Sequence, residues 1–534
     1  MKHVFTTGLF LAMSANVILA QTPEMVANIH PGGSGSPELF GILNNEIIFV
    51  ATNPTYGWEL WKTDGTMSGT TLLKDIEPGT ASSEPRFLLA HNNRIYFTAY
   101  TSTADREIWY TDGTTLGTQM LVDINPAGEA MATQMIGLDP TTIVFNACDE
   151  TYNVELWKTN GSALGTVRIK EIYPGATGSS PSSFVKIGNE IFFSAYDDMH
   201  GNELWKTNGT TAGTVMVKDI IPGSTGSIVM NLEAVNSTLF FTATDGVYGL
   251  ELWKSDGTAV GTEMVKDINP GAGFSYPVNG YNLNGTYIFA ATTPSFGKER
   301  YVSDGTSLGT DILLDIYPGA DNSCYFQYVG FVFGSQFVFP ATTATTGSEL
   351  YITDGTPSGT AILKDINPGV ADGIEYIEQT ELLIYGNHFL FSATALATGK
   401  ELYISDGTRN GTNLLAETNP GPGNGINFSS GRMIVMNGVL YYRGTDGVNG
   451  DELFKLDLSF LGTSDLHSEI QLSVFPNPAN EEFQIILPEA FANEDAQLRV
   501  FDLSGKIIFT QNIAPLSNMI RVQTTGYAEG VYFV

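Results

Sequence analysis

Asp197, Asp198, His200 and Glu203 lie close together in the stretch YDDMHGNE. Carboxylates beside an imidazole are groups that hold a divalent metal or pass a proton, so this is where chemistry would first be sought. Elsewhere the histidines are scattered. The sequence contains no nucleophile elbow, HExxH pair, Walker loop or cysteine-rich metal spacing. Aligned with the rest of the chain, His200 falls where other segments carry Tyr56, Tyr152, Tyr248 and Phe296. It therefore reads as a substituted packing aromatic more readily than as a ligand.

The alignment rests on a repeat. Nine Glu-hydrophobic-aromatic steps begin at Glu59, Glu107, Glu155, Glu203, Glu251, Glu299, Glu349, Glu401 and Glu452, spaced 48 residues apart through the first six and 50 to 52 thereafter. Nine carboxylates could form a metal-binding crown, but a catalytic centre needs different groups in distinct roles. One residue type in every unit is what unit construction demands. The expectation is a buried acid that accepts backbone and side-chain hydrogen bonds. The same reading covers the turn acids Asp64, Asp112, Asp256, Asp304, Asp354 and Asp406, which Asn160 and Asn208 replace in two units. Calcium at some of these turns is the alternative. Trp61, Trp109, Trp157, Trp205 and Trp253 share one position, where packing between units is a commoner role than a sugar-binding ladder.

These residues must be positioned by short strands, because the period suits propeller blades and no helical face is visible. Ten residues before each Glu stands Phe49, Phe97, Phe145, Phe193, Phe241, Phe289, Phe339, Phe391 or Tyr442, in runs such as RIYFTAY that suit an inner strand. Between the two landmarks, Gly57, Asp105, Asn153, Gly201, Gly249, Gly297, Gly347, Gly399 and Gly450 occupy a position read as a left-handed turn. A TDGT or TNGT turn then joins a third strand to a fourth, and Pro-Gly closes the unit. Each unit is thus a four-stranded blade. The segment VANIHPG, Val26 to Gly32, matches a fourth strand without the first three, whereas the ninth unit, Asn427 to about Asp457, lacks its fourth. Joined, they clasp a ring of about nine blades; eight blades with a frayed unit is the alternative.

The string ELWKTDGTxxGTxxVKDIxPG resembles a bacterial extracellular repeat family named after its ELWxxDGTxxGT motif, over about residues 25 to 457. Later units depart from it at Tyr301, Tyr351, Tyr403 and Phe454. The resemblance implies a secreted β-propeller and no reaction. Beyond the repeat, Pro476-Asn477-Pro478, then RVFDLSGK with Asp502, Gly505 and Lys506, then Gly530-Val531-Tyr532 resemble the type A C-terminal sorting domain of the type IX secretion system. That resemblance implies export across the outer membrane of a Gram-negative bacterium, with the secretion machinery as partner. The family's pattern runs on through a further strand and a basic tail, whereas this sequence stops at Val534. The expectation is a shortened domain, with accumulation in the periplasm instead of display on the surface.

The organisation read from the sequence is therefore all-β: a signal peptide over 1–20, a propeller over 21–457, a linker over 458–470 and a small Ig-like β-sandwich over 471–534. No later apolar run is long enough to span a bilayer as a helix. A net charge of −32 repels nucleic acid and anionic membranes. Cys148 and Cys324 lie four units apart and read as two unpaired thiols. With no catalytic constellation and no cofactor motif, the sequence points to a secreted scaffold whose variable loops bind a glycan or a surface protein. The competing classes are a propeller hydrolase or lyase acting on polysaccharide, and a structural surface-layer component.

Overall fold

The computed structural model describes residues 4–6, 22–175, 178–325, 329–374, 382–426 and 433–462, together with 473–475, 482–486, 496–502, 507–513, 519–523 and 531–533. The chain divides into two compact units. Ala20–Ser459 form one, and Met1–Leu19 with Phe460–Val534 form the other.

The first unit is a nine-bladed propeller. Eight blades are four-stranded antiparallel meanders taken in sequence order, from Glu38–Leu43, Glu46–Asn53, Gly57–Thr63 and Thr71–Lys74 in blade 1 to the blade ending at Asn413–Ala416. Blade 9 has three strands in order, Ile434–Met436, Val439–Thr445 and Asp451–Asp457. Its fourth is Glu24–Ala27, antiparallel to Asp451–Asp457. The clasp between the two ends of the repeat region is therefore as the sequence implies, and the count is nine.

Burial explains the strand compositions. In blade 2 the second strand, Arg94–Thr101, buries Ile95 through Ala99 without a break because neighbouring blades cover both its faces. The fourth strand of each blade lies at the outer rim and shows only a partial alternation, as in Val215–Lys218. First strands of successive blades, such as Glu38–Leu43 and Arg86–His91, approach one another and stand nearest the axis. The aromatic runs read as inner strands are thus the second of four.

Blades hold together by apolar packing of one on the next. Ile48, Val50, Leu60, Leu73 and Ile76 of blade 1 meet Ile95, Phe97, Ala99 and Trp109 of blade 2. The repeat aromatics of blades 1 to 8 therefore lie against the fourth strand of the preceding blade, Tyr301 against Val265 and Ile268 among them. This is why Trp gives way to Tyr or Phe without loss of register. The same packing closes the ring, where Val26, Ile29, Met436, Tyr441 and Leu453 of blade 9 join Phe40, Phe49 and Trp61 of blade 1. Repeat lysines add polar links, since Lys170 Nζ donates to the Thr214 carbonyl and Lys254 Nζ to the Gly305 carbonyl, each at 2.8 Å in the next blade.

Two positions depart from the sequence reading of the turn. Gly57, Asp105, Gly201, Gly297, Gly347, Gly399 and Gly450 have positive φ, but Asn153 and Gly249 do not. Tyr152 takes the left-handed conformation in blade 3, and Gly246 takes it in the longer hairpin of blade 5. Gly249 is required for a different reason, because a Cβ there would stand 1.9 Å from the Gly273 carbonyl oxygen.

In the second unit Ser473–Phe475, Glu482–Ile486 and Met519–Gln523 make one sheet. Ala496–Asp502, Ile507–Ile513 and Val531–Phe533 make another, on which Val4–Thr6 lies parallel to Val531–Phe533. The proposed signal segment thus contributes a strand to this unit. Ser459–Gly462, inside the expected linker, forms a single helical turn.

Candidate functional site

The repeated Glu is a buried acid in every blade and binds the segment that leaves its blade. Glu59 follows the hairpin between the second and third strands and is completely buried. Its two oxygens accept the N–H groups of Ile76, Glu77 and Ser83 and the Ser83 hydroxyl, the last at 2.6 Å. One carboxylate therefore gathers the end of the fourth strand and the connector to the next blade. Glu155, Glu251 and Glu299 repeat the arrangement with Ser179, Ser275 and Ser323. In blade 9 the donors come from the other end of the repeat region: Glu452 accepts from Ile29 N at 2.9 Å, His30 N at 3.0 Å and Gly35 N at 3.1 Å. Burial pushes Glu59, Glu203, Glu299, Glu349 and Glu401 up to about 7, against the lowering effect of their donors. Glu107, where Ala130 stands in place of the serine, reaches about 8.

The turn acids lie on the opposite face of the ring and serve their own turns. Asp64 Oδ1 accepts from Thr66 N at 2.9 Å and from the Thr66 hydroxyl at 2.7 Å, which holds its carboxyl below the usual range. Asn160 and Asn208 make the same pair of bonds, so charge is not needed there. Among the described residues no group of three His, Cys, Asp or Glu side chains could hold a metal ion.

The YDDMHGNE stretch is brought together only in part. His200 Nδ1 lies 2.8 Å from Asp197 Oδ2, and this bond raises the imidazole pKa. Asp197 Oδ1 also accepts the Met199 N–H, closing the hairpin turn. Asp198 is exposed, and Glu203 is buried with its carboxylate bound to Ile221 N and the Ser227 hydroxyl. An Asp-His pair stands at the surface, and the other two acids do not join it.

Two asymmetric features escaped the sequence reading. Arg300 occupies the position of Leu60 and Leu204, is fully buried over the rings of Phe337 and Phe339, and donates to the Asn279 carbonyl at 3.1 Å. Neighbouring Lys298 is pushed down to about 8 by burial. Burial likewise raises Glu233, on the first strand of blade 5, to about 7. The signal was an arginine inside the ELW step. The second feature lies on the face formed by the hairpins between second and third strands and by the blade connectors. There Tyr248, Phe274, Tyr276 and Phe296, all in blades 5 and 6, are exposed. Both cysteines are buried free thiols.

The family model for the secretion system C-terminal sorting domain matches residues 473–534. The segment is a sorting domain. It implies the type IX secretion machinery as partner and export to the exterior or the cell surface. In the sorting domain, Asp502 pairs with Tyr532 across two strands, whereas Pro476, Asn477, Pro478, Gly505, Lys506 and Gly530 lie outside the described residues.

Solved structures similar to the chain include puromycin hydrolase, with 13% identity, a TM-score of 0.36 and coverage of 70% of this chain and 61% of that one. They also include the β-propeller domain of the Trilobed protease from Pyrococcus furiosus, at 12% identity, TM-score 0.33 and coverage of 63% and 98%. A third is a eukaryotic initiation factor, at 8% identity, TM-score 0.42 and coverage of 74% and 91%. The chain spans about three fifths of the hydrolase's length, and no activity is carried over from any of the three. No curated protein matches the chain. Among the described residues no helix is long and apolar enough to cross a membrane.

Proposed function

We propose that the propeller is a non-catalytic binding scaffold, exported by way of its sorting domain and working outside the cell or on its surface, where the hairpins and connectors of one ring face make the contact. The observation that carries this reading is the use of the repeated carboxylates. Each one that could serve as an acid or base is engaged by backbone donors of its own or a joining segment. What varies from blade to blade is the exposed loop chemistry, as expected of a rigid support that presents recognition residues. The test is to present the exported chain to glycan and surface-protein arrays. Saturable retention by one class supports the scaffold, and turnover of a polysaccharide by the purified propeller overturns it.

A hydrolytic reading rests on the hydrogen-bonded pair of Asp197 and His200, an arrangement able to take up a proton. It requires His200→Ala to abolish turnover.

A further inference from the structure

The connector between blades 5 and 6 lacks a capping bond that five blades make, and it carries two exposed aromatic side chains. In five blades one connector side chain accepts an N–H at the start of the third strand, from a residue 24 positions before it in all but the joined ninth blade. Ser82 accepts from Trp58, Asn322 from Lys298, Asp372 from Ser348, Asn424 from Lys400 and Ser34 from Asp451, at 2.7 to 3.1 Å. Blade 5 has Phe274 at this position, which offers no acceptor and leaves its ring 50% exposed. Two residues on, Ser36, Glu84, Met131, Ser180 and Ile228 adopt positive φ in their connectors, and blade 5 places Tyr276 there at φ 45°, with 37% of its surface exposed. A bulky aromatic in the left-handed region is strained.

The capping bond is absent and an aromatic residue takes the left-handed position within three residues, and two rings are exposed. Their centroids are 5.4 Å apart and their planes meet at 79°. The surroundings hold them in place. Ser275 N and Tyr276 N both donate to the Leu250 carbonyl, Thr292 N donates to the Ser275 carbonyl, and Asn269 Nδ2 donates to the Phe274 carbonyl. Gly249, which has no Cβ, lets the Phe274 ring lie against the blade 5 hairpin, since a Cβ there would meet Phe274 Cδ1 at 2.4 Å. Tyr248 and Phe296, each 38% exposed, sit on the two flanking hairpins. Exposed aromatic side chains held on a braced connector make a surface suited to contact.

Building on the scaffold reading, we infer that Phe274 and Tyr276, flanked by Tyr248 and Phe296, form a binding platform for a neutral polysaccharide. The C–H bonds on the face of a sugar ring are slightly positive and stack on the negative face of an aromatic ring, while phenol hydroxyls can meet the sugar's own hydroxyls at the rim. Two rings at nearly a right angle make a corner that covers one face and one edge of a hexose. The charge selects neutral sugars. The three segments TDGVYG, NPGAGFSYP and TTPSFG carry Asp245 and no Lys or Arg, and the whole chain carries −32, so acidic glycans are repelled.

The test is affinity electrophoresis of the full chain in native gels containing xyloglucan, mixed-linkage β-glucan, galactomannan, soluble starch or dextran, with alginate as the acidic counterpart. The variants are Phe274→Ser and Tyr276→Ser, singly and together, restoring residue types found in other connectors. Leu308→Ser changes a fully exposed side chain on the opposite face. At least one neutral polymer should retard the chain and alginate should not. The double substitution should weaken retention at least tenfold with an unchanged or higher melting temperature, and Leu308→Ser should bind as the parent does. Retention that survives the double substitution, or that only alginate produces, overturns this site and leaves the scaffold reading standing. Indifference to all five neutral polymers also overturns it, and a surface-protein array then decides whether the scaffold reading survives. Loss of retention with a collapsed melting temperature in the double variant is resolved by Phe274→Ser alone, which restores a capping side chain. If that variant is folded and still binds as tightly as the parent, the inference fails.

Discussion

Replacing Glu452 by Ala should unlock the ring at one seam. The carboxylate accepts three N–H groups from Ile29, His30 and Gly35, all on the segment that supplies the fourth strand of blade 9. A buried donor left without its acceptor costs about 1 to 3 kcal/mol. His30 is only partly buried, so water recovers part of its loss. The lower end of the range for three donors gives about 3 kcal/mol, or roughly a hundredfold in the equilibrium for local opening, at about 1.4 kcal/mol per factor of ten. Because a large multi-blade unit need not unfold in one step, hydrogen exchange read by mass spectrometry is the suitable assay. Peptides containing Glu24–Ala27 and Ile29–Gly35 should exchange roughly a hundredfold faster, while the second strands of blades 3 to 6 keep their protection. Deleting residues 21–32 should go further, exposing the edge of Asp451–Asp457 and causing aggregation. Unchanged exchange at the seam, or equal acceleration in all blades, would refute the clasp as the closing device.

The other expectations concern single blades. Glu203→Ala should lower the stability of blade 4 by about 1 to 3 kcal/mol through its orphaned donors, equally with and without chelator; a calcium-dependent difference in melting would move this carboxylate into a metal site. Glu107 has a folded pKa of about 8 against the ordinary 4.5, so the fold binds its proton more tightly than the unfolded chain does. That stabilisation is complete below 4.5 and is lost as pH rises through about 8, so the melting temperature should fall between these values. Ala130→Ser supplies the hydroxyl that Ser83 gives Glu59 and should flatten the fall, and an identical pH profile for parent and variant would contradict this account. His200→Ala should leave melting and ligand retention unchanged, because the imidazole bonds only to the side chain of a surface turn; a loss of turnover in a polysaccharide assay would instead favour the hydrolytic reading.

Much of this protein was written in its period. Repeats of near-constant length with a glycine-rich turn at fixed offset leave few ways to bury their apolar runs, so blade content, the closing role of Val26 to Gly32 and the structural use of the repeated Glu followed from spacing alone. Those properties are local or nearest-neighbour in origin. The sorting domain was legible for another reason, since three ordered landmarks within about sixty residues carry it. Only the tertiary structure decided which segments meet across blades. It showed that Glu452 is satisfied by residues more than 400 positions away. It also showed that Glu203 turns into the blade while His200 stays at the surface, and that Gly249 serves close approach and not a left-handed turn. The aromatic corner at Phe274 and Tyr276 was invisible for the same reason. In sequence it is a small irregularity in one connector, and it becomes a site only when three loops from two blades fold over one another.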